Sequence, residues 1–174
     1  MASCYCRPQR FNVDVALLEA RYKKLQQAVH PDRYGSRSAQ EQAYSAAQSA
    51  GVNVAYQALV RPVSRAQYLL QLHGHDAIGE TVGTAASDPA LIMRVMEVRE
   101  LLEDASTAPG TVRSLLAEID GDVAGVVAAL TDAFDVADFN RAASLTVELQ
   151  YLTKLANEAR EWLSEREAVV DQPR

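Results

Sequence analysis

Glycine and proline are scarce in this chain of 174 residues, eight and six respectively. They gather at a few places, which leaves long stretches free to form helices rather than the many short turns of a β protein. Between the breaks, apolar residues recur at spacings of three and four. A first helix is expected after Asp14, a good N-cap, with Leu17, Leu18, Tyr22, Leu25, Ala28 and Val29 on its apolar side. It must stop before Pro31, because proline disfavours the α conformation in the residue ahead of it. Ser38 and Glu41 form an S-x-x-E capping box that starts a second helix reaching about Ala58. In that helix Ala43, Ala46, Ala47, Ala50, Val54 and Ala55 are available for close antiparallel packing on the first. Pro62 suits the first turn of a third helix that ends near Leu72, with Gly74 as its stop.

Residues 76–87 are small, polar and glycine-containing, and the domain boundary is expected there. Asp88-Pro89 then opens a helix of about sixteen residues. Ala108-Pro109-Gly110 breaks the chain. Two long helical patterns follow, roughly 111–134 and 136–168, with Asp135 the expected cap between them. No repeat of about 20–50 residues is visible and no segment reads as a strand. The expected fold is all-α: an N-terminal helical hairpin domain over 1–75, a linker over 76–87 and a C-terminal three-helix bundle over 88–171.

The net charge of −6 hides an asymmetry, since residues 1–75 hold nine Lys/Arg against four Asp/Glu and the remainder hold eight against nineteen. A basic half and an acidic half argue for two partners of different character, or for attraction between the halves, and against nucleic acid as a ligand of the second. No apolar run approaches the ~18–20 residues needed to span a bilayer. The first residues, Met1 to Arg7, lack the basic-then-apolar layout of a signal peptide, so a cytoplasmic location is expected. Cys4 and Cys6 are too close to staple distant parts of a fold and read as free thiols in a reducing compartment.

His30-Pro31-Asp32 occupies the mouth of the expected hairpin, with Arg21, Lys23 and Lys24 before it and Arg33 after it. Proline stiffens the loop, while His and Asp offer polar tips beside a basic face. No nucleophile or orienting group lies nearby in sequence, so the pair makes a poor catalytic site. Placed between a basic helix and one ending Val54-Ala55-Tyr56-Gln57-Ala58-Leu59, the tripeptide resembles that of the J-domain. That resemblance implies docking on a DnaK-type chaperone and stimulation of its ATP hydrolysis. His30, Pro31 and Asp32 would be the trigger, with Arg21, Lys23, Lys24 and Arg33 the electrostatic footprint. Further along, Val52-Asn53-Val54-Ala55-Tyr56, Arg61-Pro62, the run Arg65 to Gly74, Met96-Glu97-Val98-Arg99-Glu100 and the run Leu149 to Leu155 are similar to the HscB branch of J-proteins. Such co-chaperones of iron–sulfur cluster assembly deliver an IscU-type scaffold protein to the HscA chaperone and stimulate its ATPase. At the N-terminus Cys4-Tyr5-Cys6-Arg7-Pro8 departs from the family pattern, and the paired C-x-x-C motifs of animal relatives are absent.

The helix from Pro89 can be read without that resemblance. At ~100° per residue, Leu91, Val95, Val98, Leu102 and Ala105 share a narrow arc that is the natural core face. Ile92, Met93 and Met96 fall on the other side among Glu97, Glu100, Glu103 and Asp104. An apolar patch with a charged rim suits a protein partner, and methionine adapts well to one. A helix packed on two neighbours could instead bury both stripes. The resemblance places Ile92, Met93, Met96, Glu97, Glu100, Asp104 and Tyr151 on the scaffold-binding face, with Asp104 and Tyr151 standing where Glu and Phe are usual. Tyr151, next to Leu149 and Leu152, could equally belong to the core.

His73-Gly74-His75 looks like a metal pair but lacks further ligands at metal spacing, and no metal or cofactor is expected. Trp162 and Leu163 are expected to close the last helical seam. Glycine-rich phosphate loops are absent, so any nucleotide belongs to a partner. The expected role is therefore non-enzymatic. An interaction protein with an incidental H-P-D, and an enzyme using His30 and Asp32 as an acid–base pair, are the alternatives.

Overall fold

The structure, a computed structural model, describes residues 10–30, 38–75, 89–104 and 106–170. Six α-helices appear among them: α1 (Val15–Val29), α2 (Ala39–Val60), α3 (Pro62–Leu72), α4 (Pro89–Glu103), α5 (Pro109–Asp135) and α6 (Phe139–Val170). The chain belongs to the all-α class. It divides inside α3 into two compact units, Met1–Leu69 and Leu70–Arg174. The linker expected over 76–87 lies outside the described residues.

In the first unit, Asp14 caps α1 as anticipated, its carboxylate accepting from Leu17 N at 2.9 Å. Ser38 and Glu41 form the full capping box of α2. The packing face of α2 is not the alanine face. Ala43, Ala46, Ala47, Ala50, Val54 and Ala55 are all exposed. α1 meets instead a ladder of polar residues spaced by four: Ser45, Ser49 and Asn53. Ser45 Oγ donates to Val29 O at 2.7 Å, Ser49 Oγ to Gln26 Oε1 at 2.9 Å, and Tyr22 OH to Asn53 Oδ1 at 2.9 Å. Gln26 Nε2 also donates to Asn53 Oδ1, and the Tyr22 and Tyr56 rings stack with centroids 4.1 Å apart. Hydrogen bonds win the seam because the apolar residues of α1 point partly elsewhere: Leu17 and Leu25 are about half exposed and the helix has no buried residue. Phe11 is buried, with the guanidinium of the buried Arg65 over its ring and Arg65 NH1 donating to its carbonyl at 2.9 Å.

α3 ends as the glycine foretells. Gly74 adopts φ +76°, with His75 N bonded to Leu70 O and Gly74 N to Gln71 O, which is the Schellman pattern. This turn lays His73 on Phe139, with ring centroids 4.3 Å apart, and His75 beside the same ring at 5.2 Å.

The second unit is built on α5 and α6. Val112, Leu115, Ile119, Val126, Leu130 and Ala133 form the buried stripe of α5, and Ala142, Ala143, Val147, Leu149, Leu152, Leu155, Ala156 and Ala159 that of α6. Pro109 is not the break expected at 108–110 but lies in the first turn of α5, where its missing N–H leaves no intrahelical bond unmade. α5 extends two residues before and one beyond the expected 111–134, whereas α6 starts three residues later than the expected 136 and ends two beyond 168. Asp135 does not cap α6. It is the last residue of α5, and Asp138 does the capping, accepting from Arg141 N at 3.1 Å. The chain needs the turn Val136-Ala137 to reverse, which pushes the cap three residues on.

Candidate functional site

Of the residues expected to meet a chaperone, Arg21, Lys23 and Lys24 lie on α1 and His30 is its C-cap. Arg21 and Lys24, one turn apart, are exposed on one side of the helix. Lys23 projects differently and is taken by Glu19, one turn earlier, with Nζ 2.7 Å from Oε1. The hydrogen bond and the charge of Glu19 raise the Lys23 pKa. The footprint thus separates into an open pair and a lysine already partnered. The E-x-x-x-K spacing that does this is readable in the sequence. His30 is exposed, at φ −63° and ψ +129°, extended backbone as the following proline demands. Pro31, Asp32 and Arg33 lie outside the described residues.

The second set lies on α4. Val98 is 2% exposed, whereas Ile92, Met93 and Met96 are 45%, 61% and 57% exposed. Leu91, Val95 and Leu102 are half-buried beside Val98, and Ala105 is outside the described residues. The helix therefore has one core stripe and one apolar stripe turned to solvent. Its two arginines point at neighbours: Arg94 reaches Glu118 of α5 at 3.5 Å, and Arg99 reaches Glu158 of α6 at 3.3 Å. These exposed pairs add little stability. Their effect is to orient the basic side chains inward, so that the outward charge beside the methionines is that of Glu97, Glu100 and Glu103, all exposed. Tyr151, on α6, is half-buried rather than core.

Asp104 is engaged within its own turn. Its Oδ1 accepts from Ser106 N and from Ser106 Oγ, both at 2.8 Å, closing the turn after α4. Those hydrogen bonds, the backbone one foremost, hold its carboxyl below the usual carboxylate range. The carbonyls at the end of the same helix are capped by side chains. Thr107 Oγ1 donates to Leu101 O at 2.7 Å and Trp162 Nε1 to Leu102 O at 2.8 Å. Trp162 joins Leu101, Leu102 and Leu116 around buried Val112, Ala159 and Leu163. Trp162 and Leu163 thus close the last seam, and Trp162 also fixes the end of the acidic, apolar-faced helix. An indole N–H reaching a helix end sixty residues away leaves no mark in a helical wheel.

Among the described residues no group of three or more His, Cys, Asp or Glu could hold a metal ion, and no helix is long and apolar enough to cross a membrane.

Residues 87–160 match the HSCB C-terminal oligomerisation domain, which covers α4, α5 and most of α6. The chain is 34% identical over 157 residues to the co-chaperone protein HscB homologue of Bordetella pertussis, spanning 90% of this chain and 91% of the relative. It is 33% identical over 155 residues to the homologue of Vibrio atlanticus, with 87% and 89% covered. The chain belongs to the HscB co-chaperone family. Solved HscB structures carry the same fold. The human co-chaperone HscB superposes with a TM-score of 0.79 at 30% identity, over 87% of this chain and 76% of that one. Chaperone HscB from Vibrio cholerae gives 0.78 at 28% identity, over 88% and 91%. Both surfaces described above thus lie on elements that this chain shares with HscB relatives named as co-chaperones.

Proposed function

We propose that this HscB-family chain stimulates the ATPase of a DnaK/HscA-type chaperone through residues 1–75 and delivers to it an IscU-type iron–sulfur scaffold protein held by residues 88–171. The observation that carries the client half is the exposure of Ile92, Met93 and Met96 on a helix that buries Val98. Solvent-facing methionines beside Glu97 and Glu100 suit a partner that brings an apolar contact and basic groups. Tyr151 adds a half-buried aromatic anchor, and Asp104 serves the client face chiefly by shaping the end of α4. The trigger half rests on exposed His30 with Arg21 and Lys24 on the helix before it. Pro31, Asp32 and Arg33 complete that set from the sequence. Residues 76–87 serve as the linker. The iron–sulfur cluster is cargo of the scaffold, and the chain itself needs no cofactor. Holding the scaffold beside the chaperone makes the second encounter intramolecular and raises the client's effective concentration as hydrolysis closes the chaperone on it.

Two variants test the halves separately. Met93→Ala with Met96→Ala is expected to weaken scaffold binding by about 1–3 kcal/mol, with the melting temperature nearly unchanged because both side chains are exposed. A large fall in melting temperature without a binding defect would show that they serve the fold instead. Asp32→Asn is expected to abolish ATPase stimulation while scaffold binding persists. Stimulation left intact by that change removes the trigger assignment.

A further inference from the structure

We infer that Ser45 is a positioning residue for the chaperone trigger: its hydroxyl, bonded to the last carbonyl of α1, sets where His30 leaves the helix. The inference rests on the chaperone reading above. Helix ends leave carbonyls without intrahelical partners, and a glycine in the left-handed region commonly satisfies them. α3 uses that device at Gly74. α1 cannot, because His30 is extended ahead of a proline. Ser45 supplies the alternative from the facing helix, donating to Val29 O at 2.7 Å.

The residue type argues the same way. Ser45 sits inside a 22-residue helix rich in alanine, where alanine would favour the helix more. A mid-helix serine commonly bonds back to the carbonyl one turn earlier. This one reaches across to α1 and is only 4% exposed, so its donor is shielded from competing water. It is also the rung of the Ser45–Ser49–Asn53 ladder nearest His30. Ser49 and Asn53 meet Gln26 and Tyr22, further back along α1. The ladder fixes the register of the hairpin, and Ser45 fixes its open end. His30 belongs to the proposed trigger, whereas Arg21 and Lys24 lie two turns away. Loss of the Ser45 bond should therefore spare the electrostatic encounter and damage what happens once the complex has formed.

The experiment titrates the intact chain into a purified DnaK-type chaperone with ATP and reads both maximal stimulation and half-maximal concentration. Ser45→Ala is expected to lower the maximum by roughly threefold to tenfold while the half-maximal concentration stays within about twofold. Ser45→Thr, which keeps the hydroxyl, is expected to recover most of the maximum. Ser45→Cys, a weaker donor of similar size, should fall between and serves in place of the alanine variant if that chain does not fold. Ala47→Gly, on the exposed face of α2, lowers helix stability without touching Val29 and is expected to keep the wild-type maximum. A wild-type maximum for Ser45→Ala, or an equal loss for Ala47→Gly, overturns the positioning role alone. Failure of the wild-type chain to stimulate at all overturns the chaperone reading and this inference with it.

Discussion

At the scale of single residues, Asp104 belongs to the proposed scaffold-binding set and also closes the turn after α4. Its carboxylate accepts two hydrogen bonds from Ser106 within a two-residue turn, a geometry that suits a short side chain. Glutamate, one methylene longer, would place its oxygens beyond that turn. The depressed pKa follows from those bonds, since they favour the charged form. The sign is fixed accordingly. A carboxyl held below its unfolded value stabilises the fold at any pH above the unfolded aspartate pKa of about 4, and that contribution is lost as pH falls through the lower folded value. Ser106→Ala removes the hydroxyl donor but keeps the backbone N–H, so it is expected to raise the Asp104 pKa only part of the way to the ordinary range, read from the side-chain carboxyl carbon by NMR titration. An unmoved titration would mean that the hydroxyl adds nothing to what the backbone N–H already does. The sequence could name Asp104 because helical spacing put it beside Glu100. It could not reveal the turn, because the competing partner lies outside the helix.

At the scale of elements, what was legible and what was not divides along physical lines. Asp14, Ser38 with Glu41, Pro62 and Gly74 act within three or four residues of themselves, and each does what its type dictates. The solvent-facing stripe of α4 was legible too, because periodicity separates Val98 from Met93 and Met96 whatever the neighbours are. The α1–α2 seam was not. Alanine is small enough to pack and common enough to suggest it, and nothing local says that Ser45, Ser49 and Asn53 will find partners across the hairpin. The α5–α6 turn failed for a different reason. Ala137 carries φ +57°, with Asp138 N bonded to Ala133 O and Ala137 N to Phe134 O. This is the Schellman pattern with alanine at the position that glycine usually fills, so the sequence lacks its usual stop signal. The left-handed region costs a non-glycine residue about 1–2 kcal/mol. Ala137→Gly relieves it at an entropic cost of about 0.5–1 kcal/mol, for a net gain on the order of 0.5–1 kcal/mol. The expected outcome is a higher midpoint in urea at unchanged slope. A lower midpoint would show that the alanine methyl does more in packing than its strain takes away.

At the scale of the whole molecule, the two units differ in what holds them. Among the described residues Phe11, Ala66 and Leu69 are the buried apolar side chains of the first unit, whereas the α5–α6 seam of the second is buried along its length. α1 contributes no buried residue. Its attachment to α2 rests on the Tyr22–Tyr56 stack and on hydrogen bonds, two of them exposed, each bond contributing about 0.5–1.5 kcal/mol net because water competes for the same groups. Burying a Leu or Val contributes about 1.5–3 kcal/mol, and the second unit buries several along both helices, among them Leu115, Leu130, Leu149, Leu152 and Leu155. Opening free energies should therefore rank α1 below α6. Native-state amide exchange is expected to show the mid-helix amides of α1 opening well below the free energy of those around Leu149–Leu155, through a local event that leaves α5 and α6 closed. The ranking matters for the proposed work. On that proposal, a trigger helix held largely by polar rungs would adjust its last turn against a chaperone without disturbing the unit proposed to carry the client. If α1 and α6 amides instead exchanged at one common free energy, through a single global event, that independence would be lost and a Ser45 defect would reach the client face as well.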